Sequence, residues 1–202
     1  GELLGGAQIL LHALGLDTCY IAVESDKPEA LERLGEALAR LGDDRLILKQ
    51  VPTIYPSGGE DQLVQLVANR EVPSGGLPID AGCLVQNVGT AAAIYRWIVE
   101  GQPLISRVTT VTGDGVANPV NVEARLGTTV ADIDEHTGGY TENAQQLIIG
   151  GPMTGKSVTT DRVPLVKAAN CILVLSEAPA AGPEMPCIRC GDCAAVCPVQ
   201  LL

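Results

Sequence analysis

The sequence predicts an α/β protein whose first half alternates helices with strands and whose second half is mostly β. Three observations support this prediction. In residues 3–51, leucine-rich segments with one apolar face alternate with short apolar runs, which is typical of a parallel α/β layer. From Pro103 onward, runs rich in Val and Thr are separated by glycine turns. Four closely spaced cysteines near the end of the chain predict a separate metal-binding segment.

Length and composition limit the possible functions. The chain of 202 residues suits one to two domains, and a hydrophobic content of 46% is enough to fill a core. No apolar run reaches the roughly 18 to 20 residues that a membrane span requires, so membrane association is expected to come through partners. The net charge of -11, with one Trp and four Tyr for stacking on bases, argues against a nucleic-acid partner.

The spacing of leucines, and the prolines and glycines at element ends, predict the first four helices and strands. Residues 3–15 are predicted to form a helix, and residues 18–24 a short strand. A second helix follows from Pro28 to a stop at Gly42, and residues 45–51 form the next strand. This order of helix, strand, helix and strand indicates a parallel layer.

Glycine-rich loops follow the second predicted strand. Residues 52–59 form a loop before a helix at 60–69, and residues 73–78 form another loop. An apolar segment at 83–88 leads through Gly89 and Thr90 into a helix that ends near Glu100. Because α/β proteins hold ligands in loops at strand ends, these loops are candidate ligand-binding segments.

The pattern turns to β after a boundary at residues 101–103. The predicted elements are strands at 104–112 and 116–124, a short helix at 130–136, and strands at 146–149 and 168–175. Two strands, a helix and further strands resemble a small β-grasp domain. The proline-rich segment 178–186 indicates a linker. The predicted division is an α/β domain at 1–101, a β-grasp domain at 102–177, and a linker with the cysteine run at 178–202.

The cysteine run has the spacing C-x2-C-x2-C-x3-C-P, formed by Cys187, Cys190, Cys193, Cys197 and Pro198. This is the ligand run of bacterial ferredoxins, in which three cysteines hold one cluster and the fourth holds the other cluster of a pair. Zinc and disulfides are the alternatives, but zinc sites normally pair two CxxC or CxxH units, and no second unit is present. Completing both clusters requires another run, and the chain begins inside a helix-like segment. We therefore expect the sequence to be cut at both ends.

The other three cysteines stand in apolar surroundings, which predict small buried thiols. They are Cys19, Cys83 and Cys171. Iron–sulfur ligands imply a reducing cytosol, which does not favour disulfides.

Residues 150–157 match G-x-x-x-x-G-K-S, the spacing of a nucleotide P-loop. A P-loop opens a helix whose N-terminal amides hold the phosphates. Here Val158, Thr159 and Thr160 follow, and Pro164 comes soon after them. Three β-branched residues and a proline make a poor helix start. We therefore predict a turn beside a strand, which argues against the alternative of a P-loop ATPase.

Several stretches together resemble one family. They are residues 24–30, 55–60, 70–78, 86–93 and 150–153. Over nearly the whole chain they look like the C subunit of the Rnf (Rsx) electron-transport complex, which is similar through its α/β domain to the flavin-carrying subunit of respiratory complex I. The resemblance implies part of that α/β domain, then a soluble-ligand-binding β-grasp domain, then the first of two ferredoxin-type cysteine runs.

The resemblance also implies site residues. Tyr55, Gly58 and Glu60 fall on a loop that borders FMN and the nicotinamide, and Asn87 and Thr90 fall on a segment that hydrogen-bonds the flavin. An ordinary role as loop residues, or as a helix cap for Thr90, is the alternative. The family's glycine-rich flavin loop has no counterpart in the chain. Glycines at 75 and 76 stand where a complex I lysine is expected.

The function implied by the resemblance is electron transfer. The family takes electrons from NADH through FMN to two four-iron, four-sulfur clusters, and membrane subunits of the complex move ions. NAD(H) and those membrane subunits are the expected partners, with ferredoxin as a further candidate, and an NADH:ferredoxin type of oxidoreductase is the expected class. The expected location is peripheral, on the cytoplasmic side of the inner membrane. A binding or docking module with a structural cluster is the alternative.

Overall fold

Two parallel strands lie at the centre of the first part of the chain. The computed structural model describes residues 1–177 and 185–197. Among these residues, the first compact unit comprises 1–103 together with 188–197, and the second comprises 104–177 and 185–187. The sequence-based division at 101/102 and 177/178 stays a prediction, and residues 178–184 of the predicted linker lie outside the described residues.

The elements of the first unit follow the predicted order. They are α1 (Glu2–Leu14), β1 (Cys19–Glu24), α2 (Pro28–Leu41), β2 (Leu46–Val51), α3 (Glu60–Ala68), a short 3-10 helix (Pro78–Ala81) and α4 (Val88–Glu100). Strands β1 and β2 pair in parallel, with Cys19 opposite Leu46 and Glu24 opposite Val51. The carboxyl ends of both strands therefore lie side by side.

Helix ends in this unit follow the predicted glycine stops. Gly15, Gly42 and Gly101 each adopt the left-handed conformation immediately after a helix, which glycine reaches without steric cost. Helix α4 begins two residues earlier than the prediction through Gly89 and Thr90, because the Asn87 side chain caps it by accepting a hydrogen bond from the Gly89 amide. The 3-10 helix was not predicted.

Helices α1 and α4 approach each other closely at two glycines of α1. A Cβ added at Gly6 would lie 1.8 Å from the carbonyl oxygen of Ala91, and one at Gly5 would lie 2.3 Å from the Tyr95 ring. Gly6 and Ala91 are both buried. An ion pair of 2.7 Å between Glu2 and Arg96 flanks this contact. Only residues without bulk at these two positions allow the two backbones to come this close.

The second unit is built on a five-stranded sheet and one helix. Its elements are β3 (Ser106–Thr112), β4 (Val120–Arg125), α5 (Val130–Thr137), β5 (Gln146–Ile149), β6 (Lys156–Val158) and β7 (Cys171–Leu175). The strand order is β4-β3-β7-β5-β6, in which β3 and β7 are parallel and the other neighbours are antiparallel. The sheet and α5 enclose a core that includes Val111, Val130, Ile133, Leu165, Ile172 and Val174. The mixed α/β class predicted from the sequence is confirmed.

Three strand predictions in this unit were too long. The strand predicted at 104–112 begins at Ser106. The strand predicted at 116–124 begins at Val120, directly after Pro119. The residues before Val120 instead bond to the end of α5 and the residues after it. The Ala117 amide donates to the Gly139 carbonyl oxygen, and the Asn118 side-chain nitrogen donates to the Thr137 carbonyl oxygen. The strand predicted at 168–175 begins at Cys171, because residues 166–169 form a hydrogen-bonded turn.

The segment with P-loop spacing is a hairpin loop. Gly150 has a φ of 106°, the Gly155 amide donates to the Gly151 carbonyl oxygen, and Lys156 is the first residue of β6. No helix follows, so the prediction of a turn beside a strand is confirmed. Among the residues that the structure describes, no helix has the length and apolar character needed to cross a membrane.

Substituting Gly6→Ala tests the contact between α1 and α4. Alanine has the higher helix propensity, by about 1 kcal/mol, but overpacking at a closed contact costs about 1–3 kcal/mol. We expect Gly6→Ala to lower the free energy of unfolding. Gly35→Ala, in the interior of α2 where an added Cβ meets nothing within 4 Å, should raise it by about 0.5–1 kcal/mol. Urea unfolding followed by circular dichroism measures both; equal effects of the two substitutions would contradict the close contact.

Candidate functional site

The loops that follow β1 and β2 are tied to each other. The Ser25 amide donates to the Val51 carbonyl oxygen at 2.9 Å, and the Asp26 amide donates to the Thr53 hydroxyl at 3.1 Å. The Ser25 and Thr53 hydroxyls are also hydrogen-bonded, at 3.2 Å. These bonds fix the start of the loop at residues 52–59. Sequence reasoning did not identify Thr53, because no motif contains it and its partners come from a different loop.

The loop at residues 52–59 is held by its own turns. Ser57 is buried, and its hydroxyl donates to the Pro52 carbonyl oxygen at 2.8 Å. The Ser57 amide donates to Ile54 and the Gly59 amide donates to Pro56, both at 2.7 Å. The loop is thus anchored through Ser57, while Tyr55, inside the first of these turns, is 58% exposed. An anchored backbone with an exposed aromatic side chain is suited to contacting a planar ligand.

Gly58 has no role within the described chain that requires glycine. Its φ lies outside the left-handed region, and an added Cβ would meet nothing within 4 Å. Neither backbone strain nor packing therefore excludes a side chain here. The open space beside Gly58 fits a ligand that lies against the backbone, which is the use of glycine that the resemblance implies.

Glu60 is the first residue of α3 and is exposed. Gly59 precedes the helix and offers no side chain to cap it. A carboxylate in the first turn interacts favourably with the amide dipoles at the helix N-terminus. Glu60 therefore presents a hydrogen-bond acceptor to solvent from a fixed position at the end of the anchored loop.

Asn87 and Thr90 lie at the beginning of α4. The Asn87 side-chain oxygen accepts from the Gly89 amide at 2.9 Å, so Asn87 is the helix cap, and the alternative that Thr90 caps the helix is wrong. Within the described residues, the Asn87 side-chain nitrogen and the Thr90 hydroxyl have no hydrogen-bond partner. Both groups can donate to a ligand, and this is the hydrogen-bonding capacity that fits a flavin ring.

The five predicted flavin residues do not line the apolar cavity of the first unit. One cavity of the first unit, of about 450 Å³, is lined chiefly by apolar residues of α1, β1, α3 and the segment 82–86. None of Tyr55, Gly58, Glu60, Asn87 and Thr90 lines it. No hydrogen bond within the described chain joins the two loops that carry these residues. Their shared role in holding a cofactor stays a prediction.

The cysteine segment turns at Gly191, and its described residues show no assembled ligand cluster. Gly191 has a φ of 84°, and a short helix, α6 (Asp192–Val196), follows it. Cys187, Cys190 and Cys193 are exposed and Cys197 is half-buried. Across residues 1–177 and 185–197, no three His, Cys, Asp or Glu side chains lie close enough together to hold a metal ion. Pro198 lies outside the described residues.

The seven cysteines differ in burial and in thiol pKa, and these differences bear on which of them can ligate a metal. Within the described residues, none of the seven forms a disulfide. Cys19, Cys83 and Cys171 are half-buried, less than the sequence predicted, and burial raises the pKa of the Cys19 and Cys171 thiols. A raised pKa disfavours the thiolate that a metal requires. The accessible thiols near the end of the chain are therefore the set whose chemistry fits iron–sulfur ligation.

Comparison with known families matches both units. Residues 1–96 match the family model described as the Nuo51 FMN-binding domain, and residues 108–157 match the SLBB domain. Similar proteins are named as the C subunit of an ion-translocating oxidoreductase complex. The chain is 47% identical to the one from Pseudomonas aeruginosa, with 100% of this chain and 26% of that protein covered. It is 46% identical to one from Vibrio cholerae, with 100% and 26% covered.

The relative from Rhodobacter capsulatus is 42% identical, with 99% of this chain and 38% of that protein covered. The chain thus spans about a quarter to two fifths of the length of these relatives. The crystal structure of an air-oxidized NAD+-reducing [NiFe]-hydrogenase has a TM-score of 0.68 at 19% identity, and covers 86% of this chain and 35% of that chain. The predicted resemblance to the C subunit of Rnf-type complexes, and the predicted fold, are confirmed.

Substituting Gly58→Ala separates a ligand role from a structural role. Because the backbone at Gly58 accepts a side chain, we expect the free energy of unfolding to stay unchanged or to rise by about 0.4–1 kcal/mol. A methyl group in the open space should weaken FMN binding. The measurement is flavin content of a chimera in which this chain replaces the matching part of the Pseudomonas aeruginosa relative. A stable variant with full flavin content would show that Gly58 does not contact the cofactor.

Proposed function

We propose that this chain, which is similar along its whole length to the C subunit of ion-translocating oxidoreductase complexes, relays electrons from NADH through FMN to four-iron, four-sulfur clusters. The observation that most strongly supports the proposal is the match of residues 1–96 to an FMN-binding domain in the same chain as a ferredoxin-type cysteine run. A flavin accepts a hydride and releases single electrons, and iron–sulfur clusters carry single electrons. Joining these two groups in one polypeptide is the arrangement that such a relay requires.

The flavin would be held by the loops after β2 and before α4. The Asn87 side-chain nitrogen and the Thr90 hydroxyl would donate hydrogen bonds to it, and Gly58 would leave room for the ring. Tyr55 would cover the ring with its exposed aromatic face. Glu60 would accept a hydrogen bond from the nicotinamide amide of NADH and orient it.

The clusters would be held by the four cysteines of the run near the end of the chain. Cys187, Cys190 and Cys193 would ligate one four-iron cluster together with a cysteine of a second run, and Cys197 would join the three remaining cysteines of that run. The left-handed turn at Gly191 is compatible with a chain that wraps around one face of a cluster. These assignments follow the ferredoxin pattern and the resemblance.

The partners would be the membrane subunits of the complex, which move the ions. The chain would bind them from the cytoplasmic side of the inner membrane as a peripheral subunit, with NAD(H) as its soluble substrate and ferredoxin as a further redox partner. The names of the relatives support the membrane partners. An NADH:ferredoxin type of oxidoreductase is the activity proposed for the whole protein.

Reversible bleaching by dithionite tests the redox proposal against the alternative of a docking module with a structural cluster. The chimera should show flavin and iron–sulfur absorption that NADH reduces. Absorption that neither NADH nor dithionite changes would favour the docking module.

Substitutions at Asn87 and Glu60 test the flavin assignment in the same chimera. Asn87→Ser keeps a helix-capping oxygen but removes the amide donor, so stability should change by only a few tenths of a kcal/mol while FMN retention falls about tenfold. Glu60→Ala should mainly slow reduction by NADH. Asp61→Ala, an exposed carboxylate in the same turn of α3, is the matched control. Flavin content and NADH kinetics equal to those of Asp61→Ala in both variants would refute the assignment.

Single cysteine substitutions test the exchange of ligands between the two clusters. Cys190→Ala should remove the cluster of its own run, while Cys197→Ala should damage the other cluster first, because alanine cannot replace a coordinating thiolate. Low-temperature EPR with iron and sulfide analysis distinguishes the two signals. Loss of the same signal in both variants would show that all four cysteines ligate one cluster.

A further inference from the structure

Two buried acceptor atoms in the second unit have no hydrogen-bond donor. They are Asp134 Oδ1 and Gln146 Oε1, and they are the buried side-chain atoms without a partner among the described residues. Buried polar groups in folded proteins are nearly always hydrogen-bonded, so each exception requires a physical reason. These two atoms belong to residues on either side of Tyr140 in the sequence, and Gln146 and Tyr140 line one cavity.

Asp134 lies on α5 and is only 3% exposed. Burial, reinforced by the nearby Asp161, raises the pKa of Asp134, and the Tyr140 backbone amide opposes this shift only in part. Burial, followed by the two carboxylates Asp134 and Asp161, also raises the pKa of the Tyr140 hydroxyl to about 12. The phenol is therefore protonated at neutral pH, with the Asp161 carboxylate nearby. Two carboxylates thus flank one phenol.

Gln146 begins β5, next to this group. Its side-chain nitrogen donates to the Ser157 hydroxyl of the neighbouring strand β6 at 3.2 Å, which leaves its side-chain oxygen without a donor. An amide oxygen fixed in this way can accept a hydrogen bond from a ligand.

Tyr140, Gln146 and Asp161 line an open cavity of about 420 Å³. Its lining includes the polar residues Tyr140, Gln146 and Asp161 and the aliphatic residues Leu147, Val158 and Val174. No Lys, Arg or His lines the cavity. The volume is within the range of about 300–1,000 Å³ that is common for small-molecule sites.

We propose that this cavity binds a small organic ammonium ion, an amine on a short aliphatic chain. Asp161 and Gln146 Oε1 accept hydrogen bonds from the ammonium group, and the aliphatic residues contact its chain. This binding activity goes beyond the proposed electron transfer and does not depend on it.

The lining distinguishes this ligand from other classes. A phosphate or carboxylate would meet acceptors and negative charge without a basic residue, so anions are disfavoured. A divalent metal ion usually takes six or more oxygen ligands, or fewer with His or Cys. Within the described residues no three such side chains are grouped. Because aliphatic side chains form part of the lining, a metal ion would find too few ligands there. The same aliphatic side chains can pack against the methylene groups of an alkylammonium ion.

The test titrates the chain with n-butylammonium, using calorimetry and the NMR shift of the Gln146 side-chain amide. Butan-1-ol and butyrate have the same chain length without the positive charge, and sodium and magnesium chloride supply the metal ions alone. We expect saturable binding of n-butylammonium that moves the Gln146 signal, and no saturable binding of the other four. Equal binding of butan-1-ol, butyrate or either metal would overturn the proposal, and this comparison needs no variant.

Variants locate the site. Asp161→Asn and Gln146→Leu should each weaken n-butylammonium binding at least tenfold, while Gln146→Glu, which keeps an acceptor and adds charge, should strengthen it. Glu135→Gln removes an exposed carboxylate from the same unit and should leave binding unchanged. Thermal unfolding confirms that each variant is folded. Undiminished binding by folded Asp161→Asn and Gln146→Leu, or weaker binding by folded Gln146→Glu, would overturn the assignment.

Discussion

The close contact between α1 and α4 positions the rest of the first unit. Helix α1 contributes Leu4, Ala7 and Leu11 to the core that it shares with both strands. The same helix meets Ala91 through Gly6, one turn after the cap of α4 at Asn87. The candidate flavin donors at the start of α4 are therefore fixed relative to the strands through a contact that tolerates no side chain. A helix pair held at backbone distance has little freedom to slide, because any shift brings atoms into collision.

Two polar side chains of the second unit, Thr109 and Asp114, illustrate how its polar groups find hydrogen-bond partners. Thr109 is fully buried on β3, and its hydroxyl donates to the Ala169 carbonyl oxygen at 3.1 Å. The Asp114 carboxylate accepts from the Ser176 amide at 2.8 Å and from its hydroxyl, and these bonds lower the pKa of Asp114. Both residues connect β3 or its following turn to the ends of β7. Against this background, unpaired acceptors at Asp134 and Gln146 are a local departure from the rule that the unit otherwise follows.

Much of the fold could be predicted because its signals are local. Glycines at 15, 42 and 101 end helices through a backbone conformation that other residues rarely adopt, and Pro28 begins a helix at a position where its missing amide is harmless. The early start of α4 was missed because an Asn cap and a Thr cap three residues later are both plausible from sequence. Pro119 shortens β4, and the partners that replace that strand come from residues 137–140, which periodicity cannot indicate.

The candidate sites could be predicted only where a motif exists. The cysteine spacing and the resemblance identify ligands and flavin residues, but Thr53 acts through a loop 27 residues away, and no local pattern reports that. Likewise, the sequence does not distinguish buried Asp134 from exposed Asp132 on the same short helix. The difference arises because residues 161–163 pack along α5, where the Ala131 amide donates to the Asp161 carbonyl oxygen and the Val130 amide to that of Val163.

The hairpin loop at residues 150–155 has a consequence for motif searches. A Cβ at Gly155 would lie 2.5 Å from the Gly151 carbonyl oxygen, and Gly150 holds a φ that favours glycine. Both glycines of the G-x-x-x-x-G-K-S pattern are thus explained by a tight reversal between two strands. A phosphate-binding loop selects glycine for the same steric reason, so two unrelated backbone geometries produce the same letters. Genome surveys that count nucleotide-binding proteins by this pattern alone will include hairpins such as this one, unless they also require a helix after the lysine.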